Sequence, residues 1–510
     1  MSAPQARPAM WRGATRLPAA VLPAGRGLRL QGAVSLMAYG LAAAGIAAYA
    51  LALRHTFIDD AYIQFLYAET LVKHGTWGMI AGHAANTATS PLHVLLLAAA
   101  SLLPGSTQLE AAILVAIELV AGCIILGALS RARFHSAYPG LLAAVALLVN
   151  PLVLSSFGLE GPAYVALFAG SLWALSEKRW PVLGLSLGLL VLTRPDGLVL
   201  AAIVLISVSG GWRWRGVVAG MMAVPLLAWT VYAWWAIGSI VPESALIKTS
   251  QDWGGNWTFA TGLELYRRHY PIEVVASFAL LPFALYALVR MRDRVFVTIP
   301  AVYALVHFVA YSLMAVPPYH WYYLHLVLAT TLAGGAGLWQ LMEQRPVWVL
   351  RGAMLVMPLA SLAVIGWPLQ EAPIHTNWGT PGQYEEIGGW IDANLPDDEP
   401  IMLVGEIGTL AYYSDRPLLN EFSDANWIAA SARGFWQLNR AGTTSPMPCP
   451  GYVVEHVPGT SRPVLGERYG GTLVMQWTTT SRWLSESRLY LWSVDRRVMA
   501  EHYPGGCALR

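Results

Sequence analysis

Long apolar runs recur along the first 370 residues of this 510-residue chain and constrain its fold more than any other feature. A run of about 20 apolar residues is long enough to cross a bilayer as a helix. In lipid the backbone must satisfy its own hydrogen bonds, so such runs fold as helices. The clearest are 33–53, 108–130, 137–155, 162–176, 216–237, 271–289, 295–314, 321–341 and 347–367. A further run, 181–210, is interrupted by Thr193-Arg194-Pro195-Asp196-Gly197 and reads as two short helices meeting at a polar turn. That gives eleven crossings. The run 91–103 is too short to span and reads as an interfacial or re-entrant helix.

Charge supports the same class. Only 12% of residues are charged and 56% are hydrophobic, against about 25% charged in a soluble domain. An ordinary cytosolic enzyme and a disordered chain are both excluded. The net charge of +2 offers no basic face to a nucleic acid. The acids are unevenly placed. Sixteen of the 30 Asp and Glu fall between Glu371 and Glu501, and the first 370 residues hold fourteen. The expected organisation is a basic tail over 1–32, a helical membrane domain over 33–369, and a small α/β domain over 370–510. Residues 54–107 form an outer loop of the membrane domain.

Arginine and lysine set the orientation. With the N-terminal tail inside, Arg131/Arg133, Lys178/Arg179, Arg213/Arg215, Arg290/Arg292/Arg294 and Arg345/Arg351 fall on that same side. The outer loops of the membrane domain then hold only Arg54, Lys73, Arg194, Lys248, Arg267 and Arg268. The expected location is a bacterial cytoplasmic membrane, with a cytoplasmic N-terminus and an extracytoplasmic C-terminal domain. The run 33–53 carries no signal-cleavage site and reads as a retained span. Cys449 and Cys507 both fall in the outer domain, where an oxidising compartment permits a disulfide. The spacings alone leave it open whether they pair.

The acids of the membrane domain mark where chemistry can occur, because an acid in or beside a span is expensive to keep there. Glu177, Asp293 and Glu343 lie among basic residues in inside loops. Glu118 lies within a span and needs a buried partner. Asp59, Asp60, Glu69, Glu110, Glu160, Asp196, Glu243, Asp252, Glu264 and Glu273 lie toward the outer side. The strongest local signal is His55-Thr-Phe-Ile-Asp-Asp-Ala-Tyr62. Its adjacent carboxylates repel one another unless paired or hydrogen-bonded. They either cap the following helix or do chemistry.

The stretch "FIDDAYIQFLYAETLVKHGTWG…ANTATSPLHVLLLAAASLL" (57–103) resembles the first outer loop of the type C membrane glycosyltransferases. It is most similar to their mycobacterial arabinofuranosyltransferase branch. Further likeness lies in "GLEGPAYVAL" (158–167), "LTRPDG" (192–197), "VPESALIKT" (241–249) and "VGEIGTLAYYSDRPLLNEFSD" (404–424). The resemblance implies transfer of a sugar, arabinofuranose before mannose or another hexose, from a polyprenyl-phosphate donor such as decaprenylphosphoryl arabinose. The acceptor would be a cell-envelope glycan, lipid or protein, and the transfer inverting. It implies Asp59 as general base, with Asp60 as its orienting partner or as the base itself. Glu243 and Ser244 stand where the branch has Asn and Thr, and His320-Trp-Tyr-Tyr323 stands where it has Arg-Tyr-Tyr.

The departing lipid monophosphate needs positive charge, and Lys248, Arg194 and His320 are the candidates. Lys248 could instead snorkel to headgroups, and Arg194 could simply pair with Asp196. Glu160, Asp196, Glu243, Tyr322 and Tyr323 are candidates for sugar or acceptor contacts. Capping at Glu160 and an aromatic interfacial belt at 319–323 are the plainer alternatives. No essential cofactor or metal is expected. A divalent cation on Asp59 and Asp60 is the weaker alternative. A lipid-linked sugar transporter is the rival class, but such folds show repeats and midplane charges that this sequence lacks.

Overall fold

The computed structural model describes residues 27–509, except 252, 254–256, 344, 366–368 and 432–445. Most of the basic tail, and Asp252, therefore lie outside the described residues. The chain divides into two compact units, Met1–Gly45 and Ile46–Arg510. The described part of the first is the start of the helix Gly27–Ala52. The second takes in the remaining helices and the sheet.

Five helices among the described residues are long and apolar enough to cross a membrane: Thr107–Phe134, Trp212–Ile237, Pro271–Arg290, Arg294–Leu313 and His320–Met342. The chain is thus a multi-pass membrane protein. Other apolar helices are shorter, and the expected eleven spans differ from this pattern where the chain breaks them. The run expected at 137–155 stops at Tyr138–Leu148, and Asn150 restarts it. The Asn150 side chain accepts from the backbone N–H groups of Leu152 and Val153, as a helix cap does. The polar turn at 194–196 separates Trp180–Thr193 from Gly197–Ser207, as expected. Pro91–Ala100 is a ten-residue helix, too short to span. Arg133 pairs with Asp293 at 2.7 Å, which joins two loops expected on the same side.

Four short helices build the site: α1 (Asp59–His74), α2 (Glu243–Ser250), α3 (Gly408–Tyr413) and α4 (Ala425–Ser431). The small domain carries a five-stranded mixed sheet in the order β2-β1-β3-β5-β4. Its strands are β1 (Ile401–Val404), β2 (Leu418–Leu419), β3 (Tyr452–Pro458), β4 (Thr472–Thr479) and β5 (Ser487–Ser493). β1 runs parallel to β2 and β3, and β5 runs antiparallel to β3 and β4. Cys449 and Cys507 are joined as a disulfide, which the sequence left open.

α1 is shared between two cores. Phe57, Ala61, Tyr62, Phe65 and Ala68 pack with the membrane helices. Ile63 and Tyr67 pack with Ile401, Leu403 and Leu410 of the small domain. The i, i+4 and i, i+3 spacings put each set on its own face of one helix. The loop 54–107 is therefore the floor on which the small domain stands.

Candidate active site

Asp59 and Asp60 open α1, and adjacent positions on a helix point in different directions. Asp59 turns to the small domain. Its Oδ2 accepts from the backbone N–H of Ile407 (3.3 Å) and Gly408 (3.0 Å). Its Oδ1 accepts from the backbone N–H of Thr409 (2.7 Å) and from the Thr409 hydroxyl (2.9 Å). A carboxylate has about four lone-pair sites, and here all four are taken. Burial, with the charge of the adjacent Asp60, holds this carboxyl above its ordinary value, against the pull of the Thr409 and Gly408 amides. The cap expected on the following helix is not made, since no side-chain cap bond opens α1; Asp59 takes the first N–H groups of α3 instead. Gly408 is required at this junction, because a side-chain carbon there would collide with the Asp59 carbonyl oxygen.

Asp60 turns the other way. Its Oδ1 accepts from Lys248 Nζ at 2.7 Å, and the side chain is 26% exposed. Among the described residues no hydrogen bond reaches its Oδ2. Lys248, on α2, lies over the rings of Tyr319 (4.5 Å) and Trp321 (5.1 Å). Burial depresses this amine, but the Asp60 carboxylate outweighs that and holds it firmly protonated. A cavity of about 180 Å³ opens beside the pair. Asp59 also borders it, and the rest of its lining includes Gln251, Tyr319, Gly405, Glu421 and Trp427.

A second group of predicted residues is buried around the polar turn at 194–196 and the start of the helix Gly161–Ser176. Arg194 pairs with Glu160 at 2.8 Å and Asp196 at 2.9 Å. Asp196 Oδ2 also meets His307 Nε2 (3.3 Å), His325 Nε2 (3.0 Å) and the Tyr311 hydroxyl (3.0 Å). Glu160 accepts from Gln64 Nε2 of α1 at 2.9 Å and makes no side-chain cap bond to its own helix. Arg194 lies 5.2 Å over the Tyr322 ring, and Tyr322 packs 5.6 Å from Tyr319. The buried network thus reaches the cavity wall through two tyrosines. Asp196, His307 and His325 present ligand atoms within 4.8 Å of one another. A cation there would share the Asp196 oxygen with the Arg194 guanidinium, whose charge opposes it.

Three predicted residues point elsewhere. His320 is buried, with Nε2 3.0 Å from the Ser155 carbonyl oxygen. The Tyr323 hydroxyl donates to the Phe259 carbonyl (2.6 Å) and its ring stacks on Phe259. Glu243 Oε2 accepts from the Asn86 backbone N–H at 3.2 Å. Each does structural work that the plain sequence cannot announce. Glu118, left without a partner by the sequence, lies 3.7 Å from His93 Nδ1. His307, His325, Tyr311 and Gln64 belong to the buried network and were missed, because each reads as an ordinary packing residue of its helix.

The architecture has close parallels among solved structures. ArnT from Cupriavidus metallidurans, bound to undecaprenyl phosphate, superposes with a TM-score of 0.57 at 14% identity, over 89% of this chain and 97% of that one. Its apo form gives the same score at 14% identity, over 92% and 99%. The mycobacterial arabinofuranosyltransferase AftD gives 0.50 at 15% identity, over 89% of this chain and 40% of its own. The chain has the fold of a type C membrane glycosyltransferase. No family model matches its sequence, and no curated protein does either. In the type C fold as built here, the acidic loop 54–107 and the small domain enclose the Asp60–Lys248 pair between them.

Proposed function

We propose that this protein is a glycosyltransferase that moves a sugar from a polyprenyl-phosphate donor to a cell-envelope acceptor in the cavity beside Asp60 and Lys248. The observation that carries this reading is the pair itself: a carboxylate oxygen without a partner among the described residues, next to a buried ammonium, both opening on one cavity. The acceptor hydroxyl gives its proton to Asp60 as its oxygen bonds to the anomeric carbon. The bond from that carbon to the phosphate oxygen breaks, and the electron pair leaves on the lipid monophosphate. Lys248 balances the developing charge. Attack from the face opposite the phosphate inverts the anomeric centre.

Asp60 is the base in this proposal and Asp59 the positioning residue. The four donors on Asp59 occupy its lone-pair sites and tie it to α3. Arg194 and Tyr322 support the cavity through Tyr319 and do not touch the donor. Arabinofuranose is the proposed sugar, supported by the motif resemblance and by the likeness to AftD; mannose or another hexose is the alternative. The likeness to ArnT bound to undecaprenyl phosphate supports the lipid carrier. We place the site on the extracytoplasmic face of a bacterial inner membrane. The arginine bias of the opposite loops supports that side, as does the disulfide.

The test is transfer from a panel of radiolabelled polyprenyl-phosphate sugars by purified protein in nanodiscs. One member of the panel is expected to be consumed. Asp60→Asn should lower the rate by about 10²–10⁴-fold. Consumption of none, or full activity of Asp60→Asn, rules the reading out.

A further inference from the structure

The cavity has two walls of different origin. Asp60, Lys248, Gln251 and Tyr319 form one, and the small domain forms the other with Gly405, Glu421, Phe422 and Trp427. A lipid-borne donor arrives along the membrane helices, so the small-domain wall meets the second substrate.

Two groups on that side are set up for a ligand. Glu421 is half-buried, and burial pushes its carboxyl up. Its Oε1 accepts from Gln251 Nε2 at 3.2 Å. Gln251 Oε1 in turn accepts from the Tyr319 hydroxyl at 2.5 Å, and the Tyr319 ring carries Lys248. Trp427, half-buried on α4, is braced edge-on by Tyr503 at 5.5 Å. The Tyr503 hydroxyl donates to Asp424 at 2.7 Å. Behind it Gly505, at φ 84°, lies against the Asn426 carbonyl, where a side chain would push α4 away. The Cys449–Cys507 disulfide fixes that same C-terminal segment.

A carboxylate, a primary amide and a rigidly held indole together select a chemical class. An apolar ligand would take water from Glu421 and Gln251 and offer their remaining polar sites no hydrogen bond in return. An anion would meet Glu421. A neutral polyhydroxyl ring satisfies all three, with hydroxyls on the carboxylate and amide and its C–H face on the indole. The cavity is far larger than the roughly 10–15 Å³ that one water needs.

We propose that Glu421, Gln251 and Trp427 form the acceptor subsite, and that the acceptor is a neutral saccharide. This rests on the transfer reading above, in which Asp60 takes the acceptor proton. The test uses the full chain in nanodiscs with two probes: undecaprenyl phosphate, followed by native mass spectrometry, and methyl glycosides (α-arabinofuranoside, α-mannopyranoside, β-glucopyranoside), followed by saturation-transfer NMR. At least one glycoside is expected to bind saturably. Glu421→Gln and Trp427→Ala should each weaken it about fivefold or more, the loss of one hydrogen bond or of the stacking face. Both should bind undecaprenyl phosphate as the wild type does, which shows that they are folded. Trp427→Phe should retain part of the binding. Wild-type protein that binds the lipid but no glycoside, or glycoside binding that survives both wall variants, would overturn the proposal. Glycoside binding without any lipid binding would instead sink the transfer reading and leave the saccharide wall standing.

Discussion

Replacing Asp59 by asparagine alters one atom and one charge, and tests whether this acid anchors a domain or does chemistry. In the wild type its two oxygens take four donors, three of them backbone N–H groups at the start of α3. Asparagine keeps one acceptor oxygen, and its amide group faces the remaining donors with hydrogens of its own. In the cheaper orientation the nitrogen meets Thr409, whose hydroxyl can rotate to accept but whose backbone N–H cannot. Hydrogen bonds to a charged group contribute roughly 1.5–3 kcal/mol each, and relief of a buried charge offsets part of the loss. A net cost of about 2–3 kcal/mol follows, confined to the junction of α1 and α3. Local opening there should become about 30- to 150-fold more frequent. Hydrogen exchange of peptides covering 403–413, in nanodiscs, reads this directly. Asp60→Asn should leave that exchange unchanged while lowering transfer by about 10²–10⁴-fold. Exchange in Asp59→Asn within about twofold of wild type, or an equal rise in Asp60→Asn, would refute the division of roles.

Arg194→Met leaves Glu160 and Asp196 as buried acids without their cation, which should cost about 3–5 kcal/mol; an unchanged melting temperature in detergent would show the network to be dispensable. Burial and the nearby Asp59 hold Glu406 well above its ordinary value of 4.5, and it sits against the Tyr384 hydroxyl. Its folded form therefore binds a proton that the unfolded form has lost, so stability falls as pH rises above the ordinary glutamate range. Glu406→Gln should raise thermal stability at pH 8 and add nothing at pH 4; an equal gain at both would contradict the sign. The Cys449–Cys507 bond closes a separation of 58 residues, and replacing both by serine should cost about 4 kcal/mol on a chain-entropy account, read as a lower melting temperature that no longer responds to reductant.

Hydropathy and turn residues carried much of the architecture. The break at Arg194-Pro195-Asp196 and the short helix after Pro91 both follow from periodicity and from residues that stop helices. The break at Asn150-Pro151 had the same kind of signal and was overrun by the apolar residues around it. The site was legible as a set of scarce charges, not as a set of pairs. Asp60 and Lys248 lie 188 residues apart and Asp59 and Thr409 350 apart. The partners of Asp59 are largely backbone N–H groups, which every residue but proline carries, so no residue type announces them. His307 and His325 sit in apolar helices, where only the fold reveals that both face Asp196.

The central claim is that the lipid phosphate seats at the Asp60–Lys248 cavity. A cryo-electron microscopy structure of the protein in nanodiscs with undecaprenyl phosphate tests it most directly. The account predicts phosphate density within hydrogen-bonding reach of Lys248 Nζ, on the Tyr319 side of the cavity, and its loss in Lys248→Met. Phosphate density lodged instead at Arg194, or among the arginines of the opposite loops, would contradict it.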